Sequence, residues 1–423
     1  MQSLVLYYPK VARYSIHALA GALETREKLD HLAVRLPQDE EELLAVLKSC
    51  PDETVPVGIS FTSAQMGRAK ALVQRIRAIG PLARRLLLIA GGPHPTGLPE
   101  GTLRMGFDAV VCGEGEETFL EILEKLEDGG DWRETRGIAF LDERGEFRRN
   151  GPRPPVDLDQ YPPFPVRLGR FGHIEITRGC PFACAFCQSS HLHGFRPRHR
   201  SVENVCRHVE AMRRHGRTDY RFITPNAFGY GSPDGRGLNL EALRAFLREV
   251  RRAAGPAGRV YFGTFPSEVR PEHVNDETVG LVREYATNDN LILGAQTGSE
   301  RLLKECGRGH SVQEVFRAVR CILRAGLRAN VDFIFGLPGE TEEDRRATIA
   351  MMRELARMGA RIHTHTFMPV PQTPFADAPP GKIAPSVRDA LRHLIPQGAA
   401  YGNWSEQEAL ARQIVRRSRN SGS

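Results

Sequence analysis

The sequence predicts an α/β protein in two successive parts. The first, residues 1–150, is a doubly wound, Rossmann-like domain, and the second, residues 171–375, is a partial TIM barrel of the (β/α)6 kind. Three observations carry that prediction. Short apolar runs alternate with amphipathic stretches through the first 150 residues. A cluster of prolines then interrupts the pattern. Six more apolar runs follow, most of them trailed by a helical pattern.

In the first part the apolar runs are LVLYYP (4–9), HLAVRLP (31–37), VPVGISFT (55–62), RLLLIAGG (85–92) and DAVVCGEG (108–115). Between them, EEELLAVLKSC (40–50) and AQMGRAKALVQRIRAIG (64–80) repeat their apolar residues at helical spacing. Strand, helix, strand in this rhythm implies a parallel sheet covered on both faces, with any ligand beyond the carboxyl ends of its strands. GIAFLDERGEFRRNG (137–151) reads as a small hairpin. The stretch 152–165 carries Pro152, Pro154, Pro155, Pro162, Pro163 and Pro165. Proline lacks a backbone donor and biases its predecessor toward extended geometry, so residues 151–170 form a linker and mark the domain boundary. The strands of the second part are HIEIT (173–177), YRFIT (220–224), VYFGTF (260–265), LILGAQ (291–296), NVDFIFG (330–336) and IHTHTFM (362–368). Residues 376–423 read as a proline-bounded loop and two helices packing across the barrel mouth, with a disordered closing NSGS.

Composition narrows the class. Of 423 residues 41% are hydrophobic and 26% charged, which is ordinary for a soluble globular protein. No run approaches the roughly 18 apolar residues of a membrane helix, and the amino terminus lacks the basic lead and apolar region of a secretion signal. The net charge of +7 suits an anionic cofactor or a nucleic acid without demonstrating either. The densest basic stretch, FRPRHR (195–200), reads equally as a solvated loop or an anion site. Eight cysteines are too few for a disulfide scaffold at this length, which points to a metal site in a reducing compartment and so to the cytoplasm.

Three of those cysteines stand together. In RGCPFACAFCQSS, Cys180, Cys184 and Cys187 are spaced C-x3-C-x2-C, directly after the first barrel strand, on the rim where such barrels carry their chemistry. Spacing alone leaves two readings: zinc with His191 or His193 as a fourth ligand, or a 4Fe–4S cluster held by three thiolates with one iron open. The absence of a second C-x2-C or H-x3-H weighs against zinc.

This motif, with Phe186 before the last cysteine, resembles the radical S-adenosylmethionine (SAM) superfamily over about residues 165–375. The resemblance implies an open iron that chelates SAM and a cluster whose electron cleaves it to a 5′-deoxyadenosyl radical. GAQTGSE (294–300) resembles the family's fourth-strand segment, which would turn Gln296, Ser299 and Glu300 toward the ribose and methionine ends of SAM. FIFGLPGETEED (333–344) resembles the glycine-rich turn beside the adenine, at Gly336. Where many relatives carry Gly-Gly-Glu for the SAM amino group, this chain has Thr224, Pro225 and Asn226.

The first part has glycine-rich strand ends at GGPHPTG (91–97) and CGEGEETF (112–119). Glycines there let a bulky ligand reach the backbone, although plain βα turns use the same residues. Both segments resemble the cobalamin-binding domain of cobalamin-dependent radical SAM enzymes. On that resemblance Thr62, Ser63, Gly91, Gly92, His94, Thr96, Gly113, Glu114, Gly115 and Glu116 line the cobalamin crevice. The D-x-H-x-x-G motif of the other broad cobalamin family is absent, so His94 is expected beside the nucleotide tail rather than on cobalt.

His363 and His365 alternate on the sixth strand and share one face, where they can handle a substrate proton, hold a substrate anion or simply pack as core histidines. Cys306 and Cys321 are expected to be buried thiols without chemistry. The expected activity is methyl transfer to an unactivated carbon, using a 4Fe–4S cluster, SAM and methylcobalamin. The expected partners are a substrate of unknown class and a reducing protein such as flavodoxin or ferredoxin. No nucleic acid is expected. A tRNA methylthiotransferase is the rival reading, but residues 1–150 hold only Cys50 and Cys112, short of the three cysteines of its second cluster. A non-methylating cyclase or mutase is a second rival, and a cobalamin- or metal-sensing module is the rival outside catalysis.

Overall fold

A computed structural model describes residues 1–420 as two compact units, Met1–Gly172 and His173–Asn420. Of the closing NSGS, Asn420 ends the last helix and residues 421–423 lie outside the described residues.

The first unit is built on seven strands: β1 (Ser3–Leu6), β2 (Ala33–Arg35), β3 (Val55–Ser60), β4 (Leu86–Gly91), β5 (Ala109–Val111), β6 (Ile138–Leu141) and β7 (Phe147–Arg149). Their order is β2-β1-β3-β4-β5-β6-β7, parallel through β5, with the β6–β7 hairpin added antiparallel at one edge. Every residue of β3 is buried, as a central strand covered on both faces must be. The order reverses between β1 and β3, which opens a crevice beyond the carboxyl ends of these strands.

The proline-rich strap packs on this unit rather than bridging away from it. Tyr161 is buried and donates its hydroxyl to Glu117, Val156 N–H donates to Glu114, and the backbone of Val166 and Arg167 donates to Glu24. The division between the units therefore falls at its far end, between Gly172 and His173, and the strap belongs with the first unit. Proline punctuation reports where regular structure stops, whereas packing decides which unit the strap joins.

The second unit contains β8 (Ile174–Glu175), β9 (Thr177–Arg178), β10 (Arg198–His199), β11 (Asp219–Ile223), β12 (Arg259–Tyr261), β13 (Asn290–Gln296), β14 (Arg328–Phe335), β15 (Arg361–Thr366) and β16 (Ala400–Tyr401). The six predicted barrel strands are β8, β11, β12, β13, β14 and β15. They form two parallel arcs, β12-β11-β8 and β13-β14-β15-β16. Thr287 N–H donates to Val260 O at 2.7 Å and Ile292 N–H to Gly263 O at 3.0 Å, while the Asn288 side chain bonds both backbone groups of Phe262. These bonds join the arcs. The expected first strand is split, because β9 leaves β8 to pair with β10 from the basic stretch. Arg200 of that stretch is buried on Glu175 O and Asn204, so it is neither a solvated loop residue nor free for an anion.

Along β14 fully buried Ala329, Val331, Phe333 and Phe335 alternate with half-buried Asn330, Asp332 and Ile334. One face thus seats the outer helices and the other lines the barrel interior. Within the tail, β16 extends the wall beside β15 as a seventh parallel strand, between the helices Pro385–Leu394 and Trp404–Asn420, and Thr366 at the carboxyl end of β15 bonds Gln407 Oε1 and Trp404 O. Among the described residues no helix is long and apolar enough to cross a membrane.

Candidate active site

The cysteine loop leaves β9 through Gly179, whose φ of 91° only glycine adopts easily. Cys180 N–H donates to Gly194 O, Cys187 N–H to Cys184 O, and Ala185 N–H to Cys306 O at 2.9 Å. Burial pushes the thiols of Cys180 and Cys187 up, and the neighbouring cysteines raise them further: Cys184 acts on Cys180, and both Cys184 and Cys180 act on Cys187. The three thiols are therefore close enough to act on one another. They do not converge within 4.8 Å as a set, however, although one such group exists elsewhere among the described residues. His191 and His193, the candidate fourth zinc ligands, lie on the short helix Ser189–His193.

Two buried arginines stand behind this loop. Arg308 points Nη1 at Cys184 Sγ (3.5 Å) and donates Nη2 to Gly294 O (2.5 Å). Arg270 lies 3.4 Å over the ring of Phe182, bonds Glu272 and donates to Arg308 O. Glu268, on the same side of Gly294, is raised to about 7 by burial, with Arg308 opposing the shift and Asp332 adding to it. None of these four stands out in the sequence. Arginine is frequent in this chain, and only the fold shows which ones are buried.

The predicted SAM residues fall into two groups. Gln296 ends β13 at a bulge, with φ 72°, and its amide reaches over Gly294 near Arg308 and Glu268. Phe186 packs with Cys306, Leu337 and Phe367. Those two belong to the surroundings of the cysteine loop and barrel wall. The others are engaged by the fold. Ser299 caps the helix Glu300–Glu305 and donates to Asp344; exposed Glu300 accepts from Val312 N–H; buried Asn226 pairs with His273 Nδ1 (2.8 Å) and accepts from Arg270 N–H. Gly336, expected against an adenine, faces the chain itself. A Cβ there would meet Lys382 N at 2.5 Å, so its missing side chain makes room for the chain's own tail segment.

On the inner face of β14, β15 and β16 the register sets Asp332 opposite His363 and His363 opposite Tyr401. His363 Nδ1 lies 2.9 Å from Asp332 Oδ1 and 3.1 Å from His365 Nε2, and its ring stacks on Tyr401 at 4.5 Å. Both predicted histidines are thus half-buried on the barrel interior. Asp332 joins them without having been predicted, although the alternation in NVDFIFG already places it on the face of Asn330 and Ile334.

In the first unit Thr62 and Ser63 follow β3, Gly91 ends β4 and Gly92 to Thr96 follow it, and Gly113 to Glu116 follow β5. A Cβ added to Gly91 or Gly113 meets no atom within 4 Å, whereas on Gly92 it would lie 2.8 Å from Ser60 Oγ and 3.0 Å from Phe61 O. Gly91 and Gly113 fit a bulky ligand approaching the backbone. Gly92 serves the chain's own packing. His94 is only 2% exposed, with Nδ1 2.9 Å from Ser63 Oγ, and burial lowers it to about 4. Thr96 accepts from Gly113 N–H, tying two of the loops together. Gly115 abuts Leu19, and Glu116 opens the helix Glu116–Glu127, buried.

Residues 174–352 match the radical SAM superfamily, and residues 10–123 match the B12 binding domain. An uncharacterised protein of Methanopyrus kandleri is 29% identical, covering 85% of this chain and 73% of its own length. An uncharacterised methyltransferase of Pyrococcus horikoshii is 30% identical over 71% of this chain and 64% of its own. Among solved structures, the radical S-adenosylmethionine methyltransferase TsrM from Kitasatospora setae, with cobalamin and a [4Fe-4S] cluster bound, superposes with a TM-score of 0.69. It shares 18% identity and covers 90% of this chain and 75% of its own.

Proposed function

Because this chain belongs to the radical SAM superfamily and carries a B12 binding domain ahead of the radical SAM domain, we propose that it is a methyltransferase acting on an unactivated carbon. The observation that carries the proposal is the pairing, in one chain, of a three-thiol rim loop with an open glycine-lined strand edge. When bound, a 4Fe–4S cluster supplies an electron for SAM cleavage and cobalamin carries a methyl group.

The chain's own residues hold and shield these groups. Cys180, Cys184 and Cys187 hold the cluster, with Arg308 placing positive charge beside Cys184. Gln296 presents its amide on the interior side of the same rim, where SAM would lie, with Phe186 packed nearby. Gly91 and Gly113 leave room for the corrin, flanked by Thr62, Ser63, Thr96, Glu114, Gly115 and Glu116. Neutral, buried His94 stays in the wall and off the cobalt. His363 and His365 mark where the substrate meets the inner wall. A flavodoxin- or ferredoxin-like protein is the reductant of this proposal.

The test needs no substrate. Anaerobic protein loaded with iron, sulfide and cobalamin, then given SAM and a strong reductant, should form both 5′-deoxyadenosine and S-adenosylhomocysteine. The Cys180→Ala/Cys184→Ala/Cys187→Ala variant should lose the first product and Gly91→Val the second. Formation of 5′-deoxyadenosine alone would favour a non-methylating cyclase or mutase.

A further inference from the structure

We propose that Asp332, His363 and His365 form a second, mononuclear metal site for a divalent cation of the zinc or ferrous class. It is separate from the cysteine loop and open to the barrel interior. Among the described residues this is the one group of three whose donor atoms lie within 4.8 Å of one another. The two contacts that build it, 2.9 Å and 3.1 Å, are close to the edge of a coordination sphere: bonds of about 2.1 Å set neighbouring donors about 3.0 Å apart in an octahedral site and about 3.4 Å apart in a tetrahedral one.

Protons satisfy this arrangement poorly. Both contacts converge on one atom, His363 Nδ1. That nitrogen offers either a single proton, which the two partners must share, or a single lone pair, which leaves the Asp332 carboxylate facing another acceptor. A cation draws on one lone pair from each of the three groups and removes the conflict. Two imidazoles and one carboxylate suit zinc or ferrous iron and leave coordination positions for a substrate oxygen or nitrogen.

The scaffold holds the donors in place. Asp332 and His363 are register partners on adjacent strands, and His365 follows two residues on, with the same face inward. Tyr401 stacks on His363 at an interplanar angle of 12°, fixing the ring plane. Behind His365, the Gln407 amide nitrogen lies 3.3 Å from Nδ1 and donates to it, while Gln407 Oε1 accepts from Thr366 N–H at 2.8 Å, so metal binding at Nε2 moves the His365 proton to Nδ1 and turns this amide away. A metal-bound His365 needs an acceptor for its Nδ1 proton. A carboxylate at 407 would supply one oxygen for that and keep the other for Thr366.

The test measures metal and not turnover, so it stands apart from the methyltransferase reading. Cluster-loaded full-length protein is titrated with Zn2+ and, separately, Fe2+, and bound metal beyond the cluster is counted after dialysis. One equivalent of either ion is expected. Asp332→Asn and His365→Ala should each weaken binding by more than about tenfold, and Gln407→Glu should strengthen it severalfold. In parallel, saturating Zn2+ should raise the unfolding temperature of the wild type and leave that of Asp332→Asn unchanged, provided the variant unfolds cooperatively without metal. No bound equivalent of either ion, or binding that survives His363→Ala/His365→Ala, overturns the proposal.

Discussion

Gly91 and Gly92 are neighbours in sequence, yet the structure assigns them opposite dependencies, and alanine at each position separates them. At Gly92 the backbone sits at φ 96° and ψ −174°, a region essentially closed to L-residues, which costs one about 1–3 kcal/mol. The new Cβ would also lie 2.8 Å from Ser60 Oγ and 3.0 Å from Phe61 O, and the latter is strand-end backbone that cannot swing away. Overpacking of that kind costs about 1–3 kcal/mol, so Gly92→Ala should destabilise the first unit by about 2–6 kcal/mol. For a unit of this size that lowers the unfolding temperature by roughly 4–24 °C. Gly91→Ala meets open space and should stay within about 0.5 kcal/mol of wild type. Its methyl group, however, would intrude on a ligand pressed against the strand end, weakening cobalamin binding by about 1–3 kcal/mol, or roughly 5- to 150-fold in Kd. Thermal unfolding and an absorbance titration with cobalamin read the two effects independently. Should Gly91→Ala bind cobalamin as tightly as wild type while remaining folded, the open strand edge is not the corrin's seat.

Other perturbations follow the same logic. Burial pushes the Cys306 thiol up to about 12, so Cys306→Ala should keep its full iron content, while Cys184→Ala should lose it; iron and sulfide analysis distinguishes them. Burial holds His94 at about 4, below its unfolded value of about 6.5. Its contribution to stability is thus complete above pH 6.5 and lost as pH falls toward 4, because the unfolded chain binds the extra proton. Replacing it with glutamine should flatten that limb of the denaturation profile and leave the cobalt spectrum unchanged. Burial raises the Asp344 carboxyl, but hydrogen bonds from Arg301, Ser299 and Thr341 outweigh it and hold the group well below the usual carboxylate range. Asp344→Asn should cost about 2–4 kcal/mol at neutral pH, and the gap to wild type should close as pH falls from about 4 through the folded-state value.

Periodicity and punctuation alone determined most of the architecture. The five parallel strands, the hairpin and the six barrel strands were all legible, because a buried parallel strand must be an apolar run and its crossover must be an amphipathic helix. The three cysteines were legible too, since metal ligands on one short loop are neighbours in sequence before they are neighbours in space. What the sequence could not decide depended on contacts between distant segments. The tail's short β16 has no apolar run to announce it and exists because β15 offers an unpaired edge. Gly92 and Gly336 look like ligand-facing glycines until the strand end and the Gly381–Lys382 segment are seen to fill the space beside them. Arg270, Arg308 and Glu268 come from loops that only the closed arc of strands brings behind Cys184 and Gln296. Asp332 and the two histidines lie 31 and 33 positions apart and meet because parallel register places them side by side. Side-chain identity is local, but burial, register and close approach belong to the packed chain, and they decide which polar groups converge.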